Sequence, residues 1–219
     1  VEFALAAGGP ERQDARMERM DLAQLIALAA ALGFASGLRL YAVLLAVGLV
    51  GHFPLAALPS GLEVLSNPLV IGAAAFLVLV ELLADKIPMV DSLWDTVHTF
   101  IRIPAGAALA ASVIGGDQAA WTVVAALLGG SLAATSHFAK AGTRAVANTS
   151  PEPFSNVILS TLEDFGVGAL LWLAFTHPLI AAVVVLVLVV VAVWMVRTLV
   201  GLVSRGFRSL FGERRQAVG

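Results

Sequence analysis

Apolar stretches run at roughly 22–50, 67–87, 96–114, 119–147, 155–176 and 178–203, with polar or helix-breaking residues between them. Each is close to or above the ~20 residues a helix needs to cross the hydrocarbon core, so the pattern predicts six spanning helices. The breaks are marked by His52, Pro54, Pro59, Gly61 and Asn67-Pro68, by Gly115-Gly116-Asp117, by Ser150-Pro151-Glu152-Pro153 and by His177-Pro178. Pro88 ends the second run just after Lys86. The fourth run is too long for a straight crossing, which predicts a break near Gly129-Gly130 or Gly142.

Composition turns this pattern into a class. The chain is 59% hydrophobic and 13% charged, with a mean hydropathy of +0.94. A soluble domain could not leave so much apolar surface facing water, so the expected fold is an all-α integral membrane protein. The expected layout is a cytoplasmic segment at 1–20, one transmembrane domain at 21–203 and a basic cytoplasmic tail at 204–219. Residues 1–20 lack an apolar core followed by a small-residue cleavage site, so they do not read as a cleaved signal peptide, and Met17 or Met20 would serve as a start. The absence of cysteine excludes disulfides, thiolate metal sites and cysteine nucleophiles; a metal would have to use His, Asp and Glu.

Charge is sided. Arg12, Arg16 and Arg19 precede the first run, Lys86 and Arg102 flank the second-to-third connection, Lys140 and Arg144 lie near the fourth-to-fifth, and Arg197, Arg205, Arg208, Arg214 and Arg215 close the chain. The other connections have no Lys or Arg, so the positive-inside rule puts both termini in the cytoplasm. Phe34-Ala-Ser-Gly-Leu-Arg39 echoes Phe138-Ala-Lys-Ala-Gly-Thr-Arg144, and an acid follows each in the next run, Glu81 or Glu163. Three runs separate the copies. They would form a 3+3 inverted repeat, 21–114 and 119–203, with broken or re-entrant helices; a chance match between Ala/Gly-rich helices is the other reading.

Seven ionisable side chains gather between 81 and 102: Glu81, Asp85, Lys86, Asp91, Asp95, His98 and Arg102. Asp91, Asp95, His98 and Arg102 recur at i, i+4, i+7 and i+11, which puts them on one helix face with Leu93, Val97, Phe100 and Ile101 around the rest. Glu81 and Asp85 make a second acidic face one short turn away. Three readings compete: an interfacial salt-bridge network that seats the helix, an ion or proton path, and a divalent metal site on Asp91, Asp95 and His98. Charges at membrane depth cost several kcal/mol and are usually kept for function.

Arg39 is the deepest charge, in mid-run, and needs an acid from Glu81, Glu163 or Asp164. Gly33-x-x-x-Gly37 before it permits a close helix approach or marks a break. Lys140 and Arg144 belong to the same predicted polar interior, with His137 near them. Ser150-Pro151 reads as a helix N-cap whose dipole would seat an anion.

Ala84-Asp-Lys-Ile-Pro, Asp91-Ser-Leu-Trp-Asp-Thr-Val-His98, Arg102 with Ala105-Gly-Ala, Ala139-Lys-Ala-Gly-Thr-Arg144 and Asn148-Thr-Ser-Pro-Glu-Pro-Phe-Ser-Asn156 form a specific composite. From about Gly37 to Pro178 it resembles the bacterial polytopic membrane family catalogued as domain of unknown function DUF4126. This chain carries Met89 and Ile103 where that family commonly has Gly and Pro. The resemblance implies a shared polytopic fold and a bacterial cytoplasmic membrane, but no activity.

The residues themselves favour a transporter or channel-like protein for an ion or small solute. The alternatives are a metal-dependent membrane enzyme acting on a phosphorylated or prenyl lipid, with a divalent cation as cofactor, and a non-catalytic subunit of a membrane assembly. The expected partner is the lipid bilayer; a homo-oligomer is compatible, and nothing points to nucleic acid.

Overall fold

The computed structural model describes residues 20–87, 89–149 and 154–216. The predicted segment 1–20, apart from Met20, and the predicted N-cap at Ser150-Pro151 lie outside the described residues. The apolar runs are all helical: α1 (Leu22–His52), a 3-10 helix (Ser60–Ser66), α2 (Pro68–Ala84), α3 (Val90–Ile114), α4 (Ala119–Ala147), α5 (Phe154–Thr176) and α6 (Pro178–Gln216). Among the described residues there is no strand. Large apolar side chains on the outer faces, among them Phe76, Leu79, Leu127, Phe165, Trp172, Leu186 and Trp194, are exposed, as a bundle solvated by lipid requires. By length and composition five helices pass as membrane spans, α1 and α3 to α6, and a sixth if the 3-10 helix and α2, bent by 71°, are taken together.

α1 starts in a capping box: the Asp21 carboxylate accepts from the Gln24 amide at 2.8 Å, while the Gln24 side chain accepts from the Asp21 amide at 3.2 Å. At Arg39, with φ −143° and ψ 75°, the backbone leaves the helical region, and two arms result. On the first arm Gly33 lies against Gly129, the Phe34 carbonyl accepts from Ser136 and the Leu38 carbonyl from Lys140, so this arm runs parallel to α4. On the second arm Arg39 pairs with Asp85 beyond the end of α2, while Gly48 lies against Ile71 near the start of α2, so this arm runs antiparallel to α2. α2 and α4 run the same way. Asp85 and Lys140 meet near their C-terminal ends, and Gly61, ahead of α2, packs on Ser112 just before α4 begins.

The two arms therefore oppose each other. α1 is a re-entrant hairpin with Arg39 at its tip and both ends on one face of the bundle, and α2 to α6 run from face to face. Hydropathy misses this because one non-helical residue leaves the apolar run unbroken. Leu22 and the far end of α6 consequently lie on opposite faces, whereas counting α1 as a crossing put them on one. The echoing segments Phe34–Arg39 and Phe138–Arg144 run in the same direction and pack together, so their likeness is not that of inverted copies. α4 is continuous at Gly129-Gly130 and Gly142, and α6 continues as helix beyond residue 203 to Gln216.

The hairpin can be tested by labelling. Asp21→Cys and Ser60→Cys should react with a membrane-impermeant maleimide from the same side of sealed vesicles, and Thr149→Cys from the other. Asp21→Cys sharing a side with Thr149→Cys would show that α1 crosses.

Small residues let the hairpin sink into the bundle. A Cβ on Gly33 would stand 2.6 Å from Gly129 Cα, and one on Gly129 would stand 2.6 Å from the Gly106 carbonyl, so α1, α3 and α4 meet backbone to backbone. The turn before α3 passes through Met89 at φ 74°, a left-handed conformation that favours glycine.

Candidate functional site

The tip of the hairpin delivers Arg39 into a set of charges from α2, α3, α4 and α5. Arg39, Glu81, Asp85, Asp95, Arg102, Lys140 and Arg144 are all buried. Asp85 Oδ2 takes Arg39 at 2.7 Å and Lys140 at 2.7 Å, with Arg144 at 3.8 Å. Arg39 also reaches Asp164 at 3.0 Å, Glu163 at 3.7 Å and the Ser160 hydroxyl at 2.8 Å. Arg102 lies between Glu81 at 2.5 Å and Asp95 at 2.7 Å. Lys140 links the two halves: it lies 3.7 Å from Asp95 and 3.4 Å from Glu163, and donates to the Leu38 carbonyl at 3.2 Å. That carbonyl belongs to the end of the first arm, so the break at Arg39 supplies an acceptor as well as a cation.

Ion pairs at 2.5–3.8 Å thus connect five carboxylates (Glu81, Asp85, Asp95, Glu163, Asp164) with four cations (Arg39, Arg102, Lys140, Arg144) among the described residues. With all nine ionised, the network carries one negative charge more than it neutralises. Asp85 Oδ1 and Asp95 Oδ2 are buried without a hydrogen-bond partner, and so are the Nε–H groups of Arg39, Arg102 and Arg144, so the network is incompletely satisfied on both sides.

Polar side chains extend the network toward the end where α4 passes to α5. Arg144 donates to the carbonyls of Asp85 at 2.8 Å and Asn156 at 3.1 Å, and reaches Glu163 at 3.2 Å. Asn156 donates to Asn148 at 2.7 Å, and Asn148 donates to both oxygens of Asp91, at 2.9 and 3.1 Å. Asp91 is fully buried, and among the described residues no cation pairs with it. His98 Nδ1 lies 2.8 Å from the Trp94 carbonyl, which can only accept, so Nδ1 carries the proton and Nε2 accepts from Tyr41 at 3.0 Å. The Trp94 ring stacks on His98. His137 meets Thr99 at 2.7 Å and Arg102 at 3.3 Å.

The predicted stripe Asp91, Asp95, His98 and Arg102 is buried along its whole length and faces the bundle. Arg39 pairs with the predicted Glu163 and Asp164, but its shortest ion pair is with Asp85; Glu81, the third predicted partner, belongs to Arg102. Lys86 stands apart, half-buried, donating to the Leu82 carbonyl at 3.1 Å. The proposed ligand set Asp91, Asp95 and His98 is shared out among Asn148, Arg102 and Tyr41, and among the described residues no three His, Asp or Glu side chains converge to hold a metal. Tyr41, Asn148, Asn156 and Ser160 went unpredicted. Asn148 and Asn156 were visible as amides flanking a helix boundary, but nothing local linked them to Asp91.

A cavity of ≈ 360 Å³ reaches the network from one side. Arg39, Ala42 and Ala46 of the second arm, Val78 and Leu82 of α2, and Asp164, Val167, Gly168 and Leu171 of α5 line it. Glu163 is 14% exposed and Asp164 36%, so the charged interior meets its surroundings at Asp164.

Buried charges inside helices with apolar outer faces define a multi-pass membrane protein with a polar interior. The chain belongs to the family described as Domain of unknown function (DUF4126), whose model matches residues 26–198. No curated protein and no solved structure matches it.

Proposed function

We propose that this protein is a transporter or channel-like protein for an ion or small solute, and that the network around Arg39, Asp85 and Lys140 is its charged intramembrane site. One observation carries the reading: the connected network has five carboxylates to four cations, and a cavity meets it at its most exposed acid, Asp164. A scaffold built for rigidity alone would balance its charges, because an uncompensated charge in a bilayer costs several kcal/mol. An excess carboxylate is a place where a proton or cation binds and leaves. The same excess couples the acids, since a cation taken up at one changes the affinity of its neighbours through the shared arginines.

The reading includes a bacterial cytoplasmic membrane, with the network end of the bundle toward the cytoplasm. Lys86, Lys140, Arg144, Arg197 and Arg205 belong to that end and the opposite connections, 53–67 and 115–118, contain no Lys or Arg, so the bias holds for the connections although Arg12, Arg16 and Arg19 precede Leu22 in the sequence.

Proteoliposomes carrying a proton, sodium or potassium gradient and a matching dye should show flux that depends on the protein. Asp164→Asn should lower that flux about tenfold or shift its pH dependence, while Gln118→Ala on the opposite connection should leave it unchanged. Protein-independent leakage for all three ions, or an Asp164→Asn variant identical to the parent, would sink the proposal.

A further inference from the structure

The cavity beside Arg39 has two kinds of wall. Its sides are apolar, from Ala42, Ala46, Val78, Leu82, Val167, Gly168 and Leu171, and its charged end consists of Arg39 and Asp164. It lies between α2 and α5, whose outer faces carry the exposed Phe76, Leu79, Leu162 and Phe165 of a lipid-facing surface. A carboxylate open on that side meets hydrocarbon rather than water unless something polar covers it.

Arg39 contributes a second unmet group. It is 1% exposed, and its Nε–H has no hydrogen-bond acceptor although three carboxylates surround the guanidinium. The end of the cavity therefore offers an acceptor, the Asp164 carboxylate, and directly behind it the Arg39 guanidinium, whose buried Nε–H lacks a partner, as do those of Arg102 and Arg144. An inorganic cation would satisfy the first and leave the second. An anion would satisfy the second and be repelled by the first. A head that carries an ammonium beside an anionic oxygen satisfies both, with its apolar body along the side walls.

We infer that this cavity binds an amphiphile with a zwitterionic, amine-bearing head, its ammonium on Asp164 and its anionic oxygen on Arg39. This inference goes beyond the transport reading: the amphiphile is a ligand that covers Asp164 at the mouth of the charged site, and its test does not depend on flux. A volume of ≈ 360 Å³ is at the small end for a ligand pocket, enough for a head and the first part of one chain, with the rest left in the bilayer. Gly168 fits this use: it is one of the α5 residues on the wall, and nothing stands within 4 Å of the Cβ it lacks.

Native mass spectrometry of the intact protein in detergent measures the test directly. Lysophosphatidylethanolamine should bind about tenfold more tightly than lysophosphatidylglycerol of the same chain, a difference of ~1.4 kcal/mol. Asp164→Asn should abolish that preference, and Gly168→Leu, which fills the wall and keeps both charges, should weaken the first lipid about tenfold. Equal affinity for the two lipids, or a preference that survives both substitutions, would overturn the inference. Water-soluble phosphoethanolamine binding as tightly as the lysolipid would also overturn it, since the ligand would then be a free solute and not an amphiphile. The two readings fail separately: ion flux without lipid preference leaves transport standing, and lipid preference without any flux leaves the binding site standing.

Discussion

Asp85→Ala should lower the melting temperature in mild detergent by roughly 10 °C, corresponding to a loss of about 3–5 kcal/mol. Asp85 has no exposed surface and, of the two acids that reach Arg39, Lys140 and Arg144 together, it is the fully buried one, holding the first two at 2.7 Å, whereas Glu163 is partly exposed and holds them at 3.7 and 3.4 Å. Its removal leaves three buried cations with less compensation than they were folded around, and the cost of an unpaired buried charge far exceeds that of a lost surface pair. Lys86→Ala next to it should change the melting temperature by no more than about 2 °C, because Lys86 is half-buried and donates only to the Leu82 carbonyl. The double variant Asp85→Asn/Lys140→Met removes one charge of each sign and should be more stable than the sum of its parts by about 1 kcal/mol or more. Equal melting of Asp85→Ala and Lys86→Ala would mean that Asp85 is not the hub of the network.

How much of this was legible depends on whether the signal was local. Apolar run length marks helices, and the spacing of Asp91, Asp95, His98 and Arg102 marks one face, because both depend on the geometry of a single helix. That Arg39 needs an acid followed from the cost of a lone charge in lipid. Which acid it takes did not follow, since Asp85 is closer than Glu81 only because the second arm of α1 runs back along α2. That reversal depends on the φ and ψ of one residue, and no hydropathy window registers it. The expectation that both chain ends share a side rested on counting α1 as a crossing. The Asn148–Asp91 and Asn156–Asn148 bonds were hidden for a related reason: they join three helices across a boundary, and single-chain periodicity carries no information about which boundaries share a face.

The close approach of α1 to α4 should reverse the usual sign of a glycine-to-alanine change. In a helix interior that substitution normally stabilises by up to about 1 kcal/mol, and Gly72→Ala and Gly166→Ala should do so, because nothing lies within 4 Å of the added Cβ. Gly37→Ala should instead destabilise by ~2–3 kcal/mol, since its Cβ would fall on the Ser136 hydroxyl and the Ala133 carbonyl. The carbonyl is backbone of a continuous helix and cannot step aside. The hydroxyl donates to the Phe34 carbonyl at 2.7 Å, so displacing it breaks a buried bond between the same two helices. Gly129→Ala should behave alike, because its Cβ meets Ala110 and the Gly106 carbonyl. A rise in melting temperature for Gly37→Ala equal to that for Gly72→Ala would mean that the first arm does not sit against α4 at this distance. If the arm is pushed out instead, the Leu38 carbonyl moves away from Lys140 and the tip carries Arg39 with it, so the variant that loses packing should also lose the register of the charged site.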